Sequence, residues 1–102
     1  MSALVQICFE HNWDDDALHQ AAKAFATEVK PQVPGLIWKI FTKDPGKKQS
    51  CGIYLFETLE LAQAYVDGER VAMMLDSTEL TKVSVRVSEV MRDESVLAGA
   101  PL

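Results

Sequence analysis

Tyr54 stands in the apolar run Gly52-Ile53-Tyr54-Leu55-Phe56. A phenol held among such neighbours can donate a hydrogen bond to a substrate oxygen or pass it a proton. Phe56 falls two residues on, hence on the same face if the run is a strand, and the two rings together would line a flat slot for an aromatic compound. His11 follows another apolar run and lies close to Trp13. An imidazole titrating near its ordinary value of about 6.5 is a ready general base, although a plain surface histidine is the simpler reading. Gln6 and Cys8 share one face of the first apolar segment. The amide either bonds a nearby backbone group or is aimed into a cavity as an orienting donor; Cys8 either fills core as a small apolar side chain or edges the same cavity. Trp38 and Lys39 are adjacent and so point to opposite faces, and which of them joins Tyr54 is open until the strand register is known. Lys39 either guards a strand edge or stabilises an anionic ligand. Arg86 carries a similar choice, between a structural ion pair and an anchor for an enolate or phenolate oxygen. Tyr65, on a helical stripe with Leu61, Ala62 and Val66, completes the side chains that could touch a ligand.

Other chemistries are absent from the pattern. No Ser-His-Asp arrangement, glycine-rich phosphate loop or metal-ligand cluster occurs, so no metal and no cofactor are expected. The run Asp14-Asp15-Asp16 points in different directions along a helix and suits a helix N-terminus better than a cation. Cys8 and Cys51 are the two cysteines, far apart in sequence and without CxxC spacing, which reads as free thiols in a reducing cytoplasm. The formal net charge of -5 argues against a nucleic-acid groove, and the basic cluster Lys43, Lys47 and Lys48 reads as a solvated loop. No run of ~18 apolar residues is present, which excludes a helical membrane span. The first residues, MSALVQICFEHN, lack the basic start and small-residue cleavage site of a secretory leader.

The elements that must hold these side chains follow from periodicity. At 102 residues, 48% of them hydrophobic, one domain with one core is expected. Ala3 to Phe9 is apolar on nearly every position and reads as a strand covered on both sides. Leu18, Ala22, Phe25 and Val29 keep helical spacing, and Pro31 with Pro34-Gly35 closes that helix. Leu36 to Thr42 and Gly52 to Phe56 form a hairpin around Asp44-Pro45-Gly46. Thr58 caps a second helix, Gly68 interrupts it, and Glu69 to Leu75 resumes. Val83, Val85 and Val87 alternate with Ser84, Arg86 and Ser88 as a last strand, leaving MRDESVLAGAPL as a tail with little regular signal. The order β-α-β-β-α-β is the ferredoxin-like α+β arrangement, an antiparallel four-stranded sheet with its helices on one face. The middle strands are apolar on both sides, and leaving several large side chains in water costs ~1.5–3 kcal/mol each, so the second face predicts a sheet-against-sheet homodimer.

The strings PGLIWKIFT and CGIYLFET, with LVQICF near the start, LAQAY in the second helix and KVSVRVSEV in the last strand, resemble the YdhR-type monooxygenases of the dimeric α+β barrel superfamily. The resemblance covers nearly the whole chain, and its most specific parts are Pro34, Gly35, Trp38 and Lys39 together with Gly52 to Phe56. It implies a homodimer with a ligand cavity between sheet and helices. It also implies cofactor-independent oxidation by O₂ of a small aromatic or polyketide-like compound, whose own carbanion reduces the oxygen. Branches of the superfamily that degrade haem use a helix histidine as iron ligand, and the second helix here has none. A dimeric ligand-binding or stress-related module without turnover is the alternative on the same fold.

Overall fold

A computed structural model describes residues 1–102. The strands are β1 (Ala3–His11), β2 (Leu36–Lys43), β3 (Gln49–Phe56) and β4 (Leu80–Glu89). The helices are α1 (Asp15–Ala24), α2 (Leu59–Val66), α3 (Glu69–Asp76) and α4 (Arg92–Leu97). The strands form one sheet in the order β2-β3-β1-β4, antiparallel throughout, which is the expected ferredoxin-like fold.

Local chemistry starts each helix where the sequence indicated. The Asp14 carboxylate accepts the Ala17 N–H at 2.8 Å, and Asp15 and Asp16 sit in the first turn against the positive end of the helix dipole. Thr58 accepts the Leu61 N–H at 3.1 Å and opens α2. Beyond Ala24 the helix loosens into a π-helical turn, Phe25–Val29, and a 3₁₀ turn, Lys30–Gln32, which contains Pro31 and ends before Pro34. Gly35 enters β2 with φ 77°, and a side chain there would run into Leu61, so the position demands glycine.

The sheet sorts side chains by parity. Ala3, Val5 and Ile7 of β1 and Tyr54 and Phe56 of β3 point under the helices, where they meet Ala62 of α2 and Val71 of α3 in the main core. Leu4, Gln6 and Cys8, with Cys51, Ile53 and Leu55, point the other way. Trp38 pairs with Leu55 and Ile40 with Ile53 on that outer face, whereas Lys39 pairs with Tyr54 on the helix side. The outer face is apolar across β2 and β3 and turns polar on β4, where Ser84, Arg86 and Ser88 are exposed.

Two expectations are corrected here. The C-terminal stretch is ordered: α4 forms, and the Pro101 carbonyl accepts the Trp38 indole N–H at 2.8 Å. A helix of six residues is too short to show a period in sequence. Cys8 and Cys51 are also not free thiols. The β1–β3 register sets them directly opposite, their Cα atoms 4.1 Å apart, and they form a disulfide. A separation of 43 residues hid the pairing, which exists only once the register is set, and the thiols carry no argument about compartment. No helix is long and apolar enough to cross a membrane.

Candidate functional site

α2 packs on the sheet, but α1 stands off it: no residue of α1 is buried. The apolar stripe of α1 faces the sheet across a cavity of about 540 Å³, within the ~300–1,000 Å³ usual for small-molecule sites. Leu18, Ala22 and Phe25 come from the α1 side, Ile7, Phe41 and Tyr54 from the sheet, and Tyr65 and Met74 from α2 and α3. Phe9 and Trp13 close one end.

Lys39 reaches into this apolar space from β2. Its stem crosses Gly52, where an added Cβ would lie 2.7 Å from Lys39 Cε and 3.0 Å from the Tyr54 ring, so the missing side chain makes room for both. The amine ends 3.7 Å from the ring centre of Phe25, 4.3 Å from Phe41 and 4.4 Å from Tyr54. No carboxylate lines the cavity; the ion pairs of the fold are Lys43–Asp15 at 3.4 Å and Lys82–Glu10 at 3.2 Å. Burial without an acidic partner therefore lowers Lys39 to about 7.

Tyr54 is 2% exposed, with its ring 5.4 Å from that of Tyr65. Burial first, and then the neighbouring Tyr65, push its hydroxyl well above the usual phenol range. Burial raises Tyr65 as well, with the hydrogen bond from Tyr54 and the charge of Arg70 pulling back. Both phenols stay protonated at any ordinary pH, which suits them to donate and not to act as bases.

The structure brings together Tyr54, Lys39 and Tyr65 of the residues singled out in the sequence and separates the rest. Phe56 points under the helices but is completely buried below the cavity, stacked on Tyr54 at 6.4 Å, because the end of β3 lies beneath α2. His11 is the last residue of β1, buried at the end of that central strand, and its Nδ1 accepts the Trp13 backbone N–H at 3.1 Å. Its ring packs on Phe9 and Trp13 and so supports the cavity wall from behind. Gln6 and Arg86 face each other on the outer side of the sheet, both exposed, instead of entering the cavity. Cys8 and Trp38 lie on that side too, one in the disulfide and the other tied to Pro101. Phe25, Phe41 and Gly52 went unrecognised as site residues, although Phe41 shares the parity of Lys39 and Gly52 is its cross-strand partner.

The family model described as "Putative mono-oxygenase ydhR" matches residues 4–101. Solved structures share the fold at low identity. A protein from Deinococcus radiodurans described as a "putative antibiotic biosynthesis monooxygenase" aligns with a TM-score of 0.66 and 10% identity, over 86% of this chain and 91% of its own. SnoaB from Streptomyces nogalater, a cofactor-independent oxygenase, gives 0.64 and 9% over 89% and 94%. A dimeric ferredoxin-like protein of unknown function from Thermobifida fusca gives 0.62 and 17% over 87% and 92%. A search of curated proteins finds no match.

Proposed function

The chain belongs to the ydhR mono-oxygenase family, and from that membership we propose that it oxidises a small aromatic or polyketide-like compound with O₂, without a cofactor, in the cavity between α1 and the sheet. The observation that carries this reading is the cavity itself: walls of aromatic rings, with one amine and two protonated phenols as its inner polar groups. Such a site holds a flat apolar substrate by ring contacts and turns its oxygen toward donors. As the substrate is converted to the carbanion that reduces O₂, negative charge grows on that oxygen. A hydroxyl already stripped of water is then worth more than one in solvent. Tyr54 fills this donor role by turning toward the substrate the hydroxyl it otherwise directs at Tyr65.

Changing Tyr54 to Phe keeps the shape and removes the hydroxyl. A hydrogen bond to a charged oxygen is worth ~1.5–3 kcal/mol, so turnover should fall by about one to two orders of magnitude with the fold intact. The measurement is oxygen uptake with hits from a thermal-shift screen of phenols and anthrone-like compounds. Unchanged turnover in the variant would return Tyr54 to packing, and tight binding without any uptake by the wild type would leave a binding module.

Assembly as a homodimer through the outer face belongs to the same reading. Ile40 is 49% exposed there beside Trp38 and Ile53, on strands that present apolar groups to both sides. A pairing of this obligate type buries on the order of 2,000 Å². Sedimentation at micromolar concentration is expected to show a dimer; a monomer overturns the assignment.

A further inference from the structure

The geometry points to Lys39 as the proton acceptor of the cavity: a neutral amine that takes the proton of a weakly acidic hydroxyl on the ligand and then, as an ammonium, holds the oxyanion it has made. The inference rests on the reading above that an aromatic compound occupies the cavity, and it adds the group that ionises it. The step moves one proton, from ligand O–H to the amine lone pair, and needs no oxidant.

Three features carry it. The first is the company of the amine. Phe25, Phe41 and Tyr54 surround it at 3.7 to 4.4 Å, and ring faces stabilise an ammonium once it forms. The same rings take the amine partly out of water, and no carboxylate lines the cavity to keep the lysine charged beforehand. Dehydration lowers the amine to about 7, where a base is most useful, and the ring faces are there to stabilise the ammonium once it forms. The second is the sign of the surroundings. The chain carries 15 acidic residues against 10 basic ones, yet the charged groups lining the cavity are Lys39, Lys43 and Arg70, with His19 at the rim and no Asp or Glu. Lys43 is engaged by Asp15 at 3.4 Å and by His19 at 3.2 Å, so the rim is partly neutralised while the interior is not. An anion formed inside meets no carboxylate among the lining groups. The third is exclusion of the other candidates. Tyr54 and Tyr65 are raised and stay protonated, His11 lies outside the cavity with its Nδ1 already accepting a hydrogen bond, and His19 stands at the rim with its Nε2 engaged by Lys43 at 3.2 Å.

The pH window follows from these groups. Below about 7 Lys39 is already an ammonium and the ligand proton must go to solvent. Above it, up to the acidity of the ligand itself, the proton passes directly from ligand to amine, and the attraction between the ammonium and the oxyanion in the apolar cavity must outweigh the gap between the two acidities. A chlorophenol, somewhat more acidic than the ~10 of a tyrosine side chain, tests this at about pH 8. The wild type should bind it as phenolate, visible in the ultraviolet difference spectrum. Calorimetry in buffers of different ionisation enthalpy should show no net proton exchange, because the proton stays in the complex. Benzoate, already ionised, should instead draw in about one proton as Lys39 charges to meet it. Lys39→Met, which keeps the apolar stem, should bind the chlorophenol as the neutral phenol, about 10- to 100-fold more weakly, and take up no proton with benzoate. Lys39→Arg, a permanent cation, should still bind the phenolate but release about one proton to solvent. A neutral phenol in the wild-type complex, or an undiminished phenolate band in Lys39→Met, would overturn the assignment. Oxygen uptake plays no part in these readouts, so failure of the oxygenase reading and failure of this one are separable.

Discussion

Removing the Cys8–Cys51 bond should lower the stability of the chain by about 4 kcal/mol, the loop-closure entropy that a cross-link spanning 43 residues takes from the unfolded state. The bond joins the two central strands of the sheet, so the unfolded chain that forms without it must find the β1–β3 pairing afresh. Urea denaturation of the wild type with and without reductant, together with a Cys8→Ser, Cys51→Ser double variant, measures the effect. The reduced wild type and the double variant should share one lowered midpoint. Equal midpoints in all three would show that the cross-link adds nothing to a pairing the backbone ladder already secures.

Phe56→Ala should cost about 3–5 kcal/mol, the range for deleting a fully buried aromatic ring. Phe56 is 0% exposed, and its ring lies 6.4 Å from Tyr54 and 5.5 Å from Tyr65, centre to centre. The void would open directly beneath the two phenols. Equilibrium unfolding gives the number, and a loss below about 1 kcal/mol would mean that α2 settles into the gap. The residue thus matters to the site as its floor, which is a different office from the ligand contact suggested by its parity with Tyr54.

The distance between floor and wall illustrates what was legible in the sequence. Element order was readable because each segment carried its own signal: Asp14 and Thr58 as caps, Pro31 and Pro34 as stops, and the Val83-Val85-Val87 alternation. The ferredoxin-like fold follows from that order alone. Face assignment was not readable, since β1 and β3 are apolar on both sides and a period of two then has no contrast. Gln6 could as well have pointed inward as outward. Pairing of Lys39 with Tyr54, and of Trp38 with Leu55, depends on a register that includes an irregularity between Leu36 and Trp38, which composition does not encode. The disulfide and the burial of His11 are likewise products of register. Lys39 was visible as a lysine inside an apolar run, but its surroundings come from rings on the turn after α1, on β2 and on β3 that only the folded chain gathers.

The stand-off of α1 has an energetic meaning beyond the space it leaves. A helix without a buried residue, joined to the rest through a π-helical turn at Phe25–Val29, belongs to the least stable part of the fold, where local opening costs far less than global unfolding. The sheet wall, by contrast, is secured by the ladder and the cross-link. Resistance to local opening is therefore expected to be greater on the sheet side of the chamber than on the α1 side. On the proposed reading, breadth in ligand size would reside in α1, and discrimination between ligands in the strands that present Tyr54 and Lys39.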